Sequence, residues 1–195
     1  MSQVRRRCKL RKSNPKMAVC ITMYNEGEHE LQNTLRGLLQ NYNALKKNPK
    51  TNFSKDDFVV CVVCDGYDKI PESFKAFARQ KKFLDEEVMV ERDFMVHCKD
   101  NKYRMRSLFD IMDSDVPKEE VPDNLLHIFS VSTWDFGIEE EVLQGRRINF
   151  MLCIKHRNDG KINSHKMFFL AVCQYLKPQF TLMLDIGTRP DNYAV

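Results

Sequence analysis

The chain has 195 residues, 43% hydrophobic and 30% charged, enough for one domain with a sizeable core. No stretch reaches the ~20 apolar residues of a membrane helix, and no secretory apolar region follows Met1. The formal net charge of +4 sits in a tail: seven of the 31 basic residues fall within residues 1–16, where there is no acid, leaving 24 basic against 27 acidic elsewhere.

That tail, residues 1–16, is read as solvated and mobile, with contact to anionic lipid headgroups as the alternative. Aromatics are not interleaved with its basic residues, which argues against a nucleic-acid partner. Residues 16–23 (KMAVCITM) then form a short β-prone run ending in the polar loop Tyr24-Asn25-Glu26-Gly27. Leu31, Leu35, Leu38, Leu39 and Tyr42, at three- and four-residue steps, predict a helix over 28–46. A Pro- and Asn-containing loop over 48–55 leads into Phe58–Val63, the strongest strand signal of the chain, which ends at Asp65-Gly66. A helix is expected over 72–84, just after Pro71.

Residues 85–145 hold 16 of the 27 acids and two prolines, and are read as an insertion that adds one or two edge strands. Within it, Glu139-Glu140-Glu141 reads as a solvated face. Residues 147–155 (RINFMLCIK) form another strand, and His156–Gly160 a turn with Asn-Asp-Gly as its signature. A helix follows over 161–176 and stops before Pro178. The last run, Phe180–Leu184, is short, bounded and apolar, which predicts a buried parallel strand covered on both faces.

Strands alternating with helices indicate an α/β fold with a mostly parallel sheet. Ligands of such sheets bind beyond the carboxyl ends of the strands. Two strands end there in a carboxylate followed by glycine: Asp65-Gly66 and Asp185-Ile186-Gly187. A solvated aspartate opening a turn would look the same, but a carboxylate so placed also suits Mg²⁺ or Mn²⁺. No Gly-x-Gly-x-x-Gly or Walker-type loop is present, so a nucleotide would be held by carboxylates, a metal and side chains. Seven cysteines, four of them (Cys20, Cys61, Cys153, Cys173) in apolar stretches, fit reduced thiols used as small hydrophobes. Cys61 and Cys64 have the spacing of half a zinc site, yet in a strand residues three apart point to opposite faces.

Four blocks, in order, resemble successive signatures of the chitin synthases. They are Thr22–Glu26 (TMYNE), Val63–Gly66 (VCDG), Lys161–Phe169 (KINSHKMFF) and Leu184–Pro190 (LDIGTRP), the last two being the most specific. The resemblance implies a GT-A-like nucleotide-sugar-binding domain over 17–195. It also implies transfer of N-acetylglucosamine from UDP-N-acetylglucosamine to a β-1,4-linked chitin chain. It further implies that Tyr24 and Glu26 border the uracil and ribose, that Asp65 with Gly66 meets the uridine, and that Lys161 and His165 face the diphosphate or sugar. Asp185 would answer to the first aspartate of the metal-binding motif, with Mg²⁺ or Mn²⁺ as cofactor. The sequence departs from the family pattern at Tyr67, Met167 and Asp191, where a basic residue, tryptophan and glycine are usual.

The family's block carrying the catalytic base, its Gln-x-x-Arg-Trp acceptor motif and its membrane helices have no counterpart in these residues. The resemblance therefore assigns no catalytic residue within the chain and puts the expected base beyond Val195, the last residue. The chain is expected to be a fragment, incomplete at the C-terminal side of the fold. It would be the cytoplasm-facing donor-binding half of a plasma-membrane enzyme. Two alternatives are a related hyaluronan or cellulose synthase and a non-catalytic nucleotide-binding domain; the KINSH block favours chitin.

Overall fold

The computed structural model describes residues 14–85, 94–97, 103–106, 125–133, 136–143, 147–155, 158–191 and 194. The basic tail up to residue 13, most of the acidic insertion and residues 156 and 157 of the predicted turn lie outside the described residues. Val195, beyond which the base is expected, lies outside them too.

Among the described residues seven strands form one sheet: β1 (Met17–Met23), β2 (Phe58–Cys64), β3 (Phe94–His97), β4 (Tyr103–Arg106), β5 (Leu125–Thr133), β6 (Ile148–Lys155) and β7 (Phe180–Asp185). Their order is β4-β3-β5-β6-β2-β1-β7. The run β6-β2-β1-β7 is parallel, β5 pairs antiparallel with β6, and β3 and β4 continue antiparallel. Across the five strands from β5 to β7 the sheet is thus mostly parallel, as an α/β fold of GT-A-like type requires.

β1, β2 and β6 are apolar at nearly every position because both of their faces are covered. Alternation divides their side chains cleanly. Val19, Ile21, Val60, Val62, Phe150 and Leu152 face one way and pack beneath α1 (Glu28–Lys47) and α2 (Glu72–Gln80). Ala18, Cys20, Cys61, Val63, Met151 and Cys153 face the other way, against the helix that starts at Gly160. Fully burying one such aliphatic side chain stabilises the fold by about 1.5–3 kcal/mol. Cys61 and Cys64 fall on opposite faces, as strand periodicity requires. Burial pushes the thiols of Cys20, Cys61, Cys64 and Cys153 up, which keeps them as protonated, apolar packing groups at neutral pH.

The apolar stripe of Leu31, Leu35, Leu38, Leu39 and Tyr42 forms the buried face of α1. Glu30 accepts a hydrogen bond at 3.1 Å from the Gly27 N–H at its start, and Glu28 and Glu30 complement the helix dipole. At its other end Asn48 N–H closes the last turn on Ala44 and Leu45. α2 stops at Gln80 rather than at residue 84. Lys82 adopts φ 61°, and the N–H groups of Phe83 and Leu84 return to Ala78, which turns both side chains into the core.

The 85–145 segment contributes more than edges. β5, nine residues long, lies between β3 and β6, because Leu126 and Phe129 supply apolar contacts to the two faces of the sheet. A short α3 (Glu140–Leu143) follows, with Glu139 to Glu141 exposed; Glu139 takes the Arg36 Nε–H at 2.8 Å.

The predicted helix over 161–176 is the composite α4: α-helical over Gly160–Met167, a π-helical turn over Phe168–Cys173, then a last turn over Gln174–Leu176. Lys177, at φ 51°, ends it. β7 departs from the expectation of a strand covered on both faces. Among the described residues it pairs only with β1, Phe180 is 63% exposed, and Leu182 to Leu184 are half-buried. An apolar run marks a strand, but its place in the sheet is set by which neighbours find it.

Candidate functional site

The carboxyl ends of β2, β1 and β7 form one rim. Met23 is in register with Cys64, so residues 24 and 65 arrive at the same level of the sheet, and Thr22 is in register with Asp185, which places the Asp185 carboxylate two residues below them on the same edge. The ladders continue past the strands: Asp65 N–H donates to Met23 at 2.8 Å and Ile186 N–H to Thr22 at 3.0 Å. Strand alternation turns Thr22, Asp65, Lys155 and Asp185 all toward the face carrying α4. The first turn of α4 brings Lys161 to the same place, with half-buried His165 one helical turn later.

Asp185 is held by two donors. Thr22 Oγ1 donates to its Oδ1 at 2.8 Å, and Lys161 Nζ donates to its Oδ2 at 2.6 Å. The Lys161 ammonium first, and the Thr22 hydroxyl second, hold this carboxyl below the usual carboxylate range. Its side chain is 57% exposed and that of Lys161 53%, so the pair opens to water and is separable at small cost.

The loop after Asp185 is pinned to α1. Gly187, at φ 87°, donates its N–H to Thr34 Oγ1 at 2.8 Å. Asn41 Nδ2 donates to the Gly37 and Asp191 carbonyls, at 2.9 and 2.8 Å. Gly37 has no side chain because Pro190 and Arg189 lie where its Cβ would be, with Pro190 Cδ at 2.7 Å.

Asp65 stands in a different environment. It is buried, and its Oδ1 accepts from Lys155 Nζ at 2.6 Å and from the Asp159 N–H at 2.9 Å. Lys155 is fully buried and also reaches the Gly160 carbonyl at 3.3 Å and Ser164 Oγ at 3.4 Å. Gly66 is required twice over: its φ is 101°, and a Cβ there would meet Asn158 N at 2.8 Å. Tyr24 is 41% exposed at the rim. Glu26 folds back on the same loop, where its Oε2 accepts the Tyr24 N–H at 2.7 Å.

The fold therefore gathers Tyr24, Glu26, Asp65, Gly66, Lys161, His165 and Asp185 along one edge of the sheet and the start of α4. Inspection of the sequence missed Lys155, Ser164 and the role of Thr22. The available signal for Lys155 was a lysine closing an otherwise apolar strand, on the side-chain parity that faces α4. At the departures from the family pattern, Met167 is a core side chain, the Tyr67 ring lies 4.2 Å from the Lys75 ammonium, and Asp191 offers its carbonyl to Asn41. Among the described residues no cluster of three or more His, Cys, Asp or Glu could by itself hold a metal ion.

Comparison with known proteins identifies the family. The model of the chitin synthase-like glycosyltransferase domain matches residues 17–195. Chitin synthase 2 of Candida albicans is 29% identical over 183 residues, covering 92% of this chain and 16% of that protein. Chitin synthase 1 of Fusarium oxysporum f. sp. lycopersici is 28% identical over 204 residues, 98% of this chain and 19% of that protein. Chitin synthase I of Metarhizium acridum is 28% identical over 189 residues, 91% and 18% respectively. The chain spans less than a fifth of the length of these relatives. Over nearly all of its own length, it belongs to the family of chitin synthase-like glycosyltransferase domains.

Proposed function

We propose that this chain is the donor-binding part of a chitin synthase, which moves N-acetylglucosamine from UDP-N-acetylglucosamine to the end of a growing β-1,4-linked chain. The observation that carries this reading is the meeting of three parallel strand ends, with Tyr24, Asp65 and Asp185, beside the Lys161 turn of α4. An elongated, anionic, base-bearing ligand fits such a rim. Asp65 offers a carboxylate oxygen to an N–H or hydroxyl of the uridine, Tyr24 an aromatic face, and Lys161 a mobile cation for the diphosphate. His165 lies close enough to Asp185 to add to the same field.

A divalent cation fits the donor set. Asp185 is an exposed hard-oxygen ligand kept anionic, and Lys161 already neutralises it, so the position accepts positive charge. Mg²⁺ or Mn²⁺ would be held by Asp185 together with the diphosphate of the donor. When bound, it neutralises charge building on the leaving diphosphate. The chain's own share is to orient the donor, with Asp65 fixing the nucleoside end and Lys161 released from Asp185 to the diphosphate.

The acceptor chain, the base that deprotonates its hydroxyl and the anchoring in the plasma membrane belong, under this reading, to parts of the whole protein other than these residues, which face the cytoplasm. Among the described residues no helix is long and apolar enough to cross a membrane. The test is thermal. UDP should raise the melting temperature of the chain more than ADP does, and Asp65→Ala should reduce the UDP shift. Equal stabilisation by UDP and ADP, with or without Asp65, refutes the assignment.

A further inference from the structure

Lys155 is the most deeply buried charged side chain described, with no exposed surface, and it lies at the end of β6, away from the two rim strands that carry Tyr24 and Asp185. A lone buried ammonium is strongly unfavourable. Here its three donors meet three acceptors: Asp65 Oδ1 on β2's exit, and the Gly160 carbonyl and Ser164 Oγ on the first turn of α4. The Asp159 N–H fills the remaining approach to the same Asp65 oxygen. Oδ1 is consequently committed, and among the described residues Oδ2 takes no hydrogen bond.

We propose that Lys155 is a positioning residue for donor recognition: it fixes the rotamer of Asp65 so that one carboxylate oxygen alone is presented to the nucleoside, and it ties that oxygen to the turn of α4 carrying Lys161. This rests on the donor reading above and deepens it. The chemistry follows from counting sites. A carboxylate free to rotate would accept from many donors, whereas one with Oδ1 saturated offers a single acceptor at a fixed place. A fixed acceptor selects a base with one N–H aimed at it, such as the imide N–H of uracil, over a base that presents an acceptor there. Because Lys155 also grips Gly160 and Ser164, the nucleoside end and the Lys161–Asp185 end of the site share one frame across β2, β6 and α4.

A merely structural ion pair would also hold the fold together, so the readout is selectivity rather than stability. Calorimetric titration of UDP and of ADP into the full chain is compared for wild type, Lys155→Met, Asp65→Asn, the double variant and Ser164→Ala. Wild type should prefer UDP. Lys155→Met should cut that preference about tenfold, equivalent to about 1.4 kcal/mol, and the double variant should be no worse than the poorer single variant, because both changes act through one carboxylate. Ser164→Ala loosens the grip without unpairing a charge and should cut the preference about threefold at near wild-type melting temperature. Should Lys155→Met fail to fold, the double variant, which removes both buried charges together, and Ser164→Ala are read in its place. An unchanged UDP preference in the folded Lys155→Met and Ser164→Ala proteins, or strictly additive losses, overturns the positioning role and leaves the donor reading standing. A wild-type chain without UDP preference overturns both.

Discussion

The Asp185 site gives the sharpest quantitative expectation. Replacing Asp185 by Asn keeps the shape of the side chain and removes its charge, while Thr22 still has an oxygen to donate to. The opposing contact is the Lys161 ammonium, 2.6 Å from Oδ2. Both side chains are more than half exposed, so their pair is worth only about 0.2–1 kcal/mol. A cation entering from water must displace Lys161, and that competition lowers its affinity by no more than about fivefold. Metal affinity without nucleotide should therefore be weak, because one carboxylate is a poor site for Mg²⁺ or Mn²⁺ unless phosphate oxygens join it.

The assay is calorimetric titration of UDP with and without Mn²⁺. In wild type Mn²⁺ should tighten UDP binding by about tenfold or more, and in Asp185→Asn by less than about twofold. Lys161→Met should raise the affinity for Mn²⁺ alone by at most about fivefold. Protonation sets the pH window. The folded carboxyl lies below its unfolded value of about 3.9, so the stability it contributes is present above that pH and is lost as pH falls through the folded value. Asp185 thus remains anionic at any pH above about 4, and a loss of the Mn²⁺ effect between pH 8 and 6 would have to come from another group. Equal enhancement by Mn²⁺ in wild type and Asp185→Asn removes Asp185 from the metal site.

Two further outcomes test the frame around the site. Gly66→Ala forces a side chain into φ 101° and against Asn158 N at 2.8 Å, so thermal or urea denaturation should show a loss of about 1–3 kcal/mol together with loss of UDP stabilisation; a neutral substitution would contradict the close packing of the 158–159 turn on Asp65. β7 presents an open edge among the described residues, with Phe180 and Thr181 exposed, so the chain should self-associate through it, and Thr181→Lys should shift light scattering toward the monomer; unchanged association would place the sticky surface elsewhere.

Much of this protein was legible from the order of its residues. Apolar runs at 16–23, 58–63 and 147–155 marked strands, and the structure covers both faces of each, with the few polar residues they carry, Thr22, Asn149 and Lys155, buried as well. The three- and four-residue steps of leucine marked α1, because that helix buries one face only. Asp65 and Asp185 followed from the rule that strand ends of a parallel sheet carry the ligand site.

What the sequence left undecided depended on partners distant along the chain. Nothing in Phe180–Leu184 distinguishes a central strand from an edge strand, since apolar content records burial by whatever is adjacent, and among the described residues β7 pairs only with β1. The π-helical turn of α4 depends on where its backbone hydrogen bonds slip, which composition does not encode. Most consequential is Lys155, 90 residues from its partner Asp65. In sequence it is an ordinary lysine ending a strand. Only the closure of β2 against β6, with α4 laid over both, puts its ammonium out of water beside a carboxylate. There low polarity makes the pairing obligatory, and the surface residue the sequence suggests becomes an internal strut of the site.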